Sequence, residues 1–431
     1  MLKRIFYILL LFISVKAAAQ RTNSSPYSFF GIGQQYSSQT VEQASMGGVG
    51  VSFSDVYHLN FINPAAHANL RFTTYSVGLN VNDLTIKDFS SSQRSTSTSL
   101  SYINVGFPLG NKFGIAFGLK PNTNVGYSLL NVENDLNGNR FNVTRFYGSG
   151  GTNRIYGAFG ASITNDLSLG LEIEYIFGEI ENNILSQRVN VVLGTKNNEL
   201  TTVNGSSLKL GMLYKKALSK KVEMKFGAAL KLENNLTTKG EEYLYSTSIL
   251  ANGFDSPRDT LSSALITGSI KNPLKTTLGV SFGSENKWYA ALDYEFQNAL
   301  KVNGSLLTSN SSYTYGNSSK ISFGGFYIPK INSISSYWHR VIYRAGLRFE
   351  NLGLLVRGSN VNGFTEVKDF GISFGLGLPL KDLSNLNLGF EYGKKGKTIN
   401  NLIQENYFNF KLSLSLSAFG NLAWFQKRKI D

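Results

Sequence analysis

The stretch Tyr156–Gly178, YGAFGASITNDLSLGLEIEYIFG, alternates apolar and polar side chains in two runs. Phe159, Ala161 and Ile163 alternate with Ala158, Gly160 and Ser162 before Asn165-Asp166. After it, Leu169, Leu171, Ile173, Tyr175 and Phe177 alternate with Ser168, Gly170, Glu172, Glu174 and Ile176. A period of two sends successive side chains to opposite faces of an extended strand, so the stretch predicts two strands and a tight turn. One face of the second strand is apolar, and the other carries two carboxylates.

The same unit recurs. In residues 209–233, KLGMLYKKALSKKVEMKFGAALKLE turns at Ser219-Lys220 and sets Val222, Met224, Phe226, Ala228, Leu230 and Leu232 opposite Glu223, Lys225, Lys231 and Glu233. Residues 277–297 turn at Glu285-Asn286 and set Trp288, Ala290, Leu292, Tyr294 and Phe296 opposite Asp293, Glu295 and Gln297; Asn409–Ser417 also alternates. The strands run about 10 to 15 residues, beyond the roughly 5 or 6 of globular sheets and long enough for the 9 to 11 of a tilted membrane strand.

One set of turns is short (Gly110-Asn111, Asn165-Asp166, Ser219-Lys220, Glu285-Asn286, Lys381 to Asn385). The intervening connections, such as FSSSQRSTST (residues 89–98) and Lys239 to Lys271, read as long polar loops. Short periplasmic turns alternating with longer outer loops are the habit of a bacterial outer-membrane barrel. Strands are expected near 72–82, 98–108, 112–130, 152–164, 167–181, 202–217, 221–238, 272–283, 287–303, 318–328, 341–358, 369–379, 386–394 and 406–417. Residues 131–151 read as a strand extended past a glycine hinge at Gly148–Gly151, and 341–358 as one strand or two short ones. The fold class is therefore all-β: a transmembrane antiparallel β-barrel of about 14 strands, with no free edge. Aromatics including Tyr102, Tyr175, Trp288, Tyr392, Tyr407 and Phe408 suit interfacial girdles.

The chain starts with Lys3 and Arg4, an apolar run from Ile5 to Val15 and small residues Ala17 to Ala19, which reads as a secretory signal peptide over 1–19. Charged residues make up only 16%, glycines number 43 and prolines 8, an unusual mixture for a soluble enzyme. Cysteine is absent, which excludes disulfides, thiolate metal sites and a cysteine nucleophile. The net charge of +14 is spread along alternating segments and forms no basic arm, so nucleic acid is not an expected partner. His58, His67 and His339 lack metal-ligand spacing; no metal, cofactor or catalytic set is implied.

With apolar side chains toward lipid, the lumen receives Glu172, Glu174, Lys209, Lys215, Glu223, Lys225, Lys231, Glu233, Asp293, Glu295, Arg344, Arg348, Glu391 and Lys411. Both signs are interspersed. Such a lining suits either a packed network of ion pairs or a wet channel.

Before the first strand, ASMGGVGVSFSDVYHLNFINPAAHANL (Ala44–Leu70) resembles the N-terminal hatch of the FadL-like family of long-chain fatty-acid outer-membrane transporters. Met46, Gly47, Gly48, Gly50, Asn63, Pro64 and Ala65 carry the match. FGIAFGLKPNTNVGYS (Phe113–Ser128) is similar to that family's third strand, and YRAGLRFE, FGISFGLGLPL and LNLGFEYG stand in its C-terminal order. Beyond a barrel over 72–417 the basic residues 418–431 read as a periplasmic tail, facing a partner or simply solvated; the resemblance implies a hatch over 20–71. It also implies a lateral opening at Lys120, Pro121 and Asn122, through which a hydrophobic small molecule leaves for the bilayer. The partners it implies are outer-membrane lipid and a hydrophobic ligand. The charged inward faces depart from a fatty-acid pocket, and the same branch includes accessory barrels that assist other proteins, among them type-nine-secretion shuttles. A non-transporting subunit with outer-membrane or periplasmic protein partners is thus the alternative.

Overall fold

A computed structural model of the chain describes residues 24–249, 255–304, 312–358, 363–380 and 384–418. The leader expected at 1–19, most of the turn at 381–385 and the tail beyond Ala418 lie outside these residues. No helix among them is long and apolar enough to cross a membrane.

The strands form one antiparallel sheet closed on itself, a barrel of 14 staves in sequence order. A two-residue strand, β1 (Gln34–Gln35), precedes them. The first six staves are β2 (Thr73–Lys87), β3 (Ser92–Leu109), β4 (Phe113–Asn134), β5 (Arg140–Ser162), β6 (Leu167–Arg188) and β7 (Leu193–Ala217). Four staves are interrupted and bear two labels each: β8 (Glu223–Lys231) with β9 (Asn234–Ile249), β10 (Asp255–Asn272) with β11 (Lys275–Ser284), β12 (Trp288–Gln297) with β13 (Lys301–Gly304), and β14 (Tyr313–Tyr315) with β15 (Ser318–Tyr327). The last four are β16 (Ile342–Arg357), β17 (Phe364–Pro379), β18 (Asn385–Gly396) and β19 (Gln404–Ala418). Closure runs from Gln404↔Lys87 to Ala418↔Thr73.

The alternation has the sense expected of a barrel in lipid: Ile173 is 57% exposed on the outside, while Glu172 and Glu174 are 0% exposed within. Tyr102 and Tyr407 instead point inward and are buried, so neither belongs to an aromatic girdle. The facing also flips at the break after β8. Gly227 and Ala229 face inward on β8, but Leu236 and Thr238 do on β9, a one-residue slip that exchanges the two faces. Glu233 consequently leaves the lumen lining and pairs with Lys271 in the open.

Several staves run further outward than the alternation predicts. Most of FSSSQRSTST belongs to β3, and Lys239 to Lys271 is largely β9 and β10, paired from Asn272↔Asn234 to Asp255↔Ile249. Beyond the lipid both faces are wet, so the apolar period disappears while the backbone ladder continues. Residues 140–162 form one strand through Gly148–Gly151, where Gly150 and Gly151 take φ of 106° and 139°. Residues 342–357 also form one strand, with a register shift between Asn351 and Leu355.

The N-terminal residues 24–71 lie inside the barrel. A one-turn helix, α1 (Val41–Ala44), begins at Thr40, whose hydroxyl accepts from the Gln43 amide while the Gln43 side chain accepts from the Thr40 amide. A 3-10 turn at Pro64–Asn69 is capped by Asn63, whose side chain accepts from the Ala65 amide.

Candidate functional site

The lumen is occupied at two levels with a chamber between them. At the periplasmic level, residues 41–70 press backbone against backbone on strand glycines. A Cβ at Gly324 or Gly346 would overlap the Met46 carbonyl, and one at Gly160 would lie 2.6 Å from the Ala68 nitrogen. Gly47 and Gly48 adopt φ of 70° and 86°, conformations that favour glycine. Wall side chains satisfy several of the segment's polar groups. Asp293 accepts from the amides of Gly50 (2.7 Å) and Val51 (2.9 Å), and Ser373 accepts from Gly47 (2.7 Å). Asn387 donates to Glu42 (2.7 Å), Lys209 donates to the Phe61 carbonyl (2.9 Å), and Asn63 donates to the carbonyls of Val51 and Met212. Met46, Gly47, Gly48, Gly50, Asn63, Pro64 and Ala65 are all buried here.

Two histidines belong to this level. His58 sits 2.8 Å from Asp55; burial works against the Asp55 carboxylate, yet His58, the Val56 amide and Lys225 together hold the carboxyl below its usual range. His67 is fully buried with both ring nitrogens unpartnered, and burial pushes the imidazole down to about 4.

At the outer level, residues 25–32 insert an apolar cap. Phe29 meets Tyr127 and Phe146 edge-on, with ring centroids 5.2 and 6.3 Å apart, and Phe30 meets Tyr313 at 5.1 Å. Tyr27 packs with Leu354, Val356, Val367 and Leu402, and Ser25 donates to Glu405. Nothing in the alternation announces this cap; Pro26-Tyr27-Ser28-Phe29-Phe30 is a short aromatic run without period.

Between the levels is a cavity of about 320 Å³. Its walls are charged and largely paired. Lys120 lies 3.1 Å from Glu172 and 3.4 Å from Glu174, Lys209 lies 2.8 Å from Glu172, and Arg154 and Lys231 lie 3.3 and 2.7 Å from Glu174. Glu295 is held by Lys275 (2.7 Å) and Lys320 (3.5 Å). On the opposite staves, Arg348 joins Glu350, Asp369 and Glu391; Lys411 joins Glu391, and Lys395 joins Glu405. Glu223 and Lys225 stand near the periplasmic rim 3.9 Å apart, with Lys225 donating to Ser54, while Arg344 donates to Asn387 at 3.0 Å. Arg154, Lys275, Lys320, Asp369, Lys395 and Glu405 extend the expected lining. The inward parity of their strands was the signal that could have found them.

Lys120, Pro121 and Asn122 fall at two distinct features. Lys120 points inward, 2% exposed, with its ammonium 4.1 Å from the Tyr156 ring centre. At Pro121 the β4–β5 register slips, with Asn122 as the extra residue, because proline cannot donate to the ladder. On its other edge β4 pairs with β3 only from Leu109↔Phe113 to Ile103↔Leu119. Outward of that point β3 pairs with β2 and β4 with β5, and the edge of β4 takes β1 through Gln34↔Asn124 and Gln35↔Thr123. Tyr36 bridges the gap, its amide donating to the Asn122 carbonyl (2.9 Å) and its hydroxyl to Ser101 (2.8 Å).

Compared with known families, the sequence matches the model described as BamG over residues 1–431. The chain belongs to the BamG family. Among solved structures, this BamG-family barrel is similar to a Pseudomonas aeruginosa FadL homologue, with a TM-score of 0.59 and 11% identity over 89% of this chain and 98% of that one. It is also similar to the Pseudomonas putida toluene transporter TodX (0.56, 16%, 89% and 98%) and the Ralstonia pickettii toluene transporter TbuX (0.56, 12%, 88% and 99%). At such identities the likeness is one of fold, the closed β-barrel. No curated protein matches it by sequence.

Proposed function

We propose that this chain is a plugged accessory barrel, a subunit of an outer-membrane protein assembly or secretion complex that acts through its walls and outer hairpins. The observation that carries this reading is the filled lumen. Residues 41–70 act as a hatch seated backbone to backbone, residues 25–32 cap the outer end, and the remaining chamber is lined by paired ions. A carrier of hydrocarbons needs a chiefly apolar pocket with a few polar anchors, whereas this chamber's wall is about as polar as apolar and carries many ionised side chains. The staves standing above the lipid supply a broad surface for protein partners. Purification of a tagged chain from native outer membrane in mild detergent is expected to bring a protein partner in fixed ratio, with no single-channel conductance from the purified barrel. A monodisperse monomer carrying lipophilic ligand overturns the proposal.

A second reading rests on the separation of β3 from β4: uptake of a hydrophobic small molecule with lateral exit at Lys120-Pro121-Asn122. Blocking the gap with Ser101→Trp then abolishes toluene uptake into cells. Unchanged uptake in that variant removes that reading.

A further inference from the structure

The charges around the chamber do not balance on the β4–β8 side. Lys120, Arg154, Lys209 and Lys231 surround only Glu172 and Glu174, four cations against two carboxylates. Both carboxylates are fully buried, so solvent screens the surplus poorly. Arg154, Lys209 and Lys231 line the chamber, and the buried Arg154 Nε has no hydrogen-bond partner. A buried surplus of positive charge next to an open cavity is costly unless an anion occupies it or a lysine gives up its proton.

The border of the chamber at the β3–β4 separation, where Tyr36 lies across the gap, has matching chemistry. Where β3 and β4 part, the chamber is bordered by Ser97, Ser99, Ser101, Asn122 and Asn124, and Gln35 beside them is exposed. Hydroxyls and amides suit a hydrated solute and present little to an alkyl chain.

We propose that the chamber binds a small, freely diffusing oxyanion of the phosphate class, held by Arg154, Lys209 and Lys231 and admitted through the polar gap between β3 and β4. Arg154 supplies a planar donor fork, and the two lysines supply point charges. This goes beyond the accessory reading and is independent of whether a partner protein exists. An oxyanion bound in a barrel that recovers no partner leaves it standing.

The test is calorimetric titration of the full chain, in lipid-free zwitterionic detergent at low salt, with inorganic phosphate. Saturable binding at one site per chain is expected, and Lys231→Met is expected to weaken it ~10-fold or more through loss of a charge-assisted contact. Lys271→Gln, which removes an exposed outer cation, is expected to bind as the wild type does. Because the cations outnumber the carboxylates by two, Lys231→Met is also expected to melt no lower than the wild type in phosphate-free buffer. Should Lys231→Met fail to fold, selenate soaked into wild-type crystals provides the second measurement, with an anomalous peak expected between Arg154 and Lys231. No saturable binding, equal affinity in Lys231→Met and wild type, stabilisation by anionic lipid alone, or no peak in the chamber overturns the proposal.

Discussion

Gly47→Ala is expected to unseat the internal segment without opening the barrel. Gly47 has φ of 70°, and a Cβ there would lie 2.6 Å from the Leu347 carbonyl oxygen, 2.7 Å from the Leu347 nitrogen and 2.9 Å from the Phe323 oxygen. All three are backbone atoms of β15 and β16, so no side chain can swing away. The left-handed conformation costs alanine about 1–2 kcal/mol, and overpacking a rigid site adds about 1–3 kcal/mol. Narrowing the unseated chain offsets about 0.4–1 kcal/mol, leaving a net of about 1–4.5 kcal/mol. In hydrogen exchange, amides of residues 44–53 should then open ~5- to ~2,000-fold more readily, while β15 and β16 keep their protection. Gly363→Ala, at a glycine with open space around it, should change protection by less than about 0.5 kcal/mol. Wild-type protection of residues 44–53 in Gly47→Ala would refute the argument, because it would mean that the close approach is not a constraint.

Glu172→Gln leaves Lys120 and Lys209 without their shared carboxylate, and loss of one partner from such a buried network should cost about 3–5 kcal/mol, read as a lower urea midpoint. The buried His67 has a folded pKa near 4 against the ordinary 6.5, so the folded state binds fewer protons between those values. Its contribution is therefore fully present above pH 6.5 and is lost as pH falls toward 4, by up to about 3 kcal/mol; His67→Leu should flatten that part of the stability profile. Ile173→Lys, on the lipid face, should destabilise folding into vesicles by about 2–4 kcal/mol if it lies near the bilayer midplane, and an unchanged folding midpoint would contradict the assigned outward face.

The barrel was legible because lipid and lumen impose opposite chemistries on alternate residues. Leu169 through Phe177 record that on β6, and fourteen such segments set the count. Outside the lipid the record fades. TKNNELTTVNGSS at residues 195–207 pairs throughout as part of β7, yet its side chains carry little apolar period. The flip between β8 and β9 was illegible for a related reason: KLENN contains no turn residue strong enough to announce a slipped register, and Glu233 was misassigned with it. Tyr102 and Tyr407 were placed at the lipid interface because an aromatic ring suits either face of a strand; only their partners, the Val41 amide and the Arg348–Asp369 pair, determine the side. Of the lumen, strand parity offered candidates for the inward face but no indication of who meets whom. Lys120 was read with Pro121 as part of a break, whereas its ammonium belongs to the network of Glu172 and Glu174.

The internal segment touches staves on both sides of the seam where the last strand meets the first. Ser25 bonds to Glu405 on β19, Glu42 accepts from Asn387 on β18 and from Ser415 on β19, and the Thr74 hydroxyl on β2 donates to the Tyr57 carbonyl. That seam joins the most distant parts of the sequence, and its closure is the slowest kind of event for a chain to find by diffusion. A segment already lying against β2 can gather β18 and β19 as they arrive, as a mandrel gathers the final turn of a coil. Removal of residues 24–70 should accordingly leave the early hairpins forming at their normal speed and retard the closing of the cylinder.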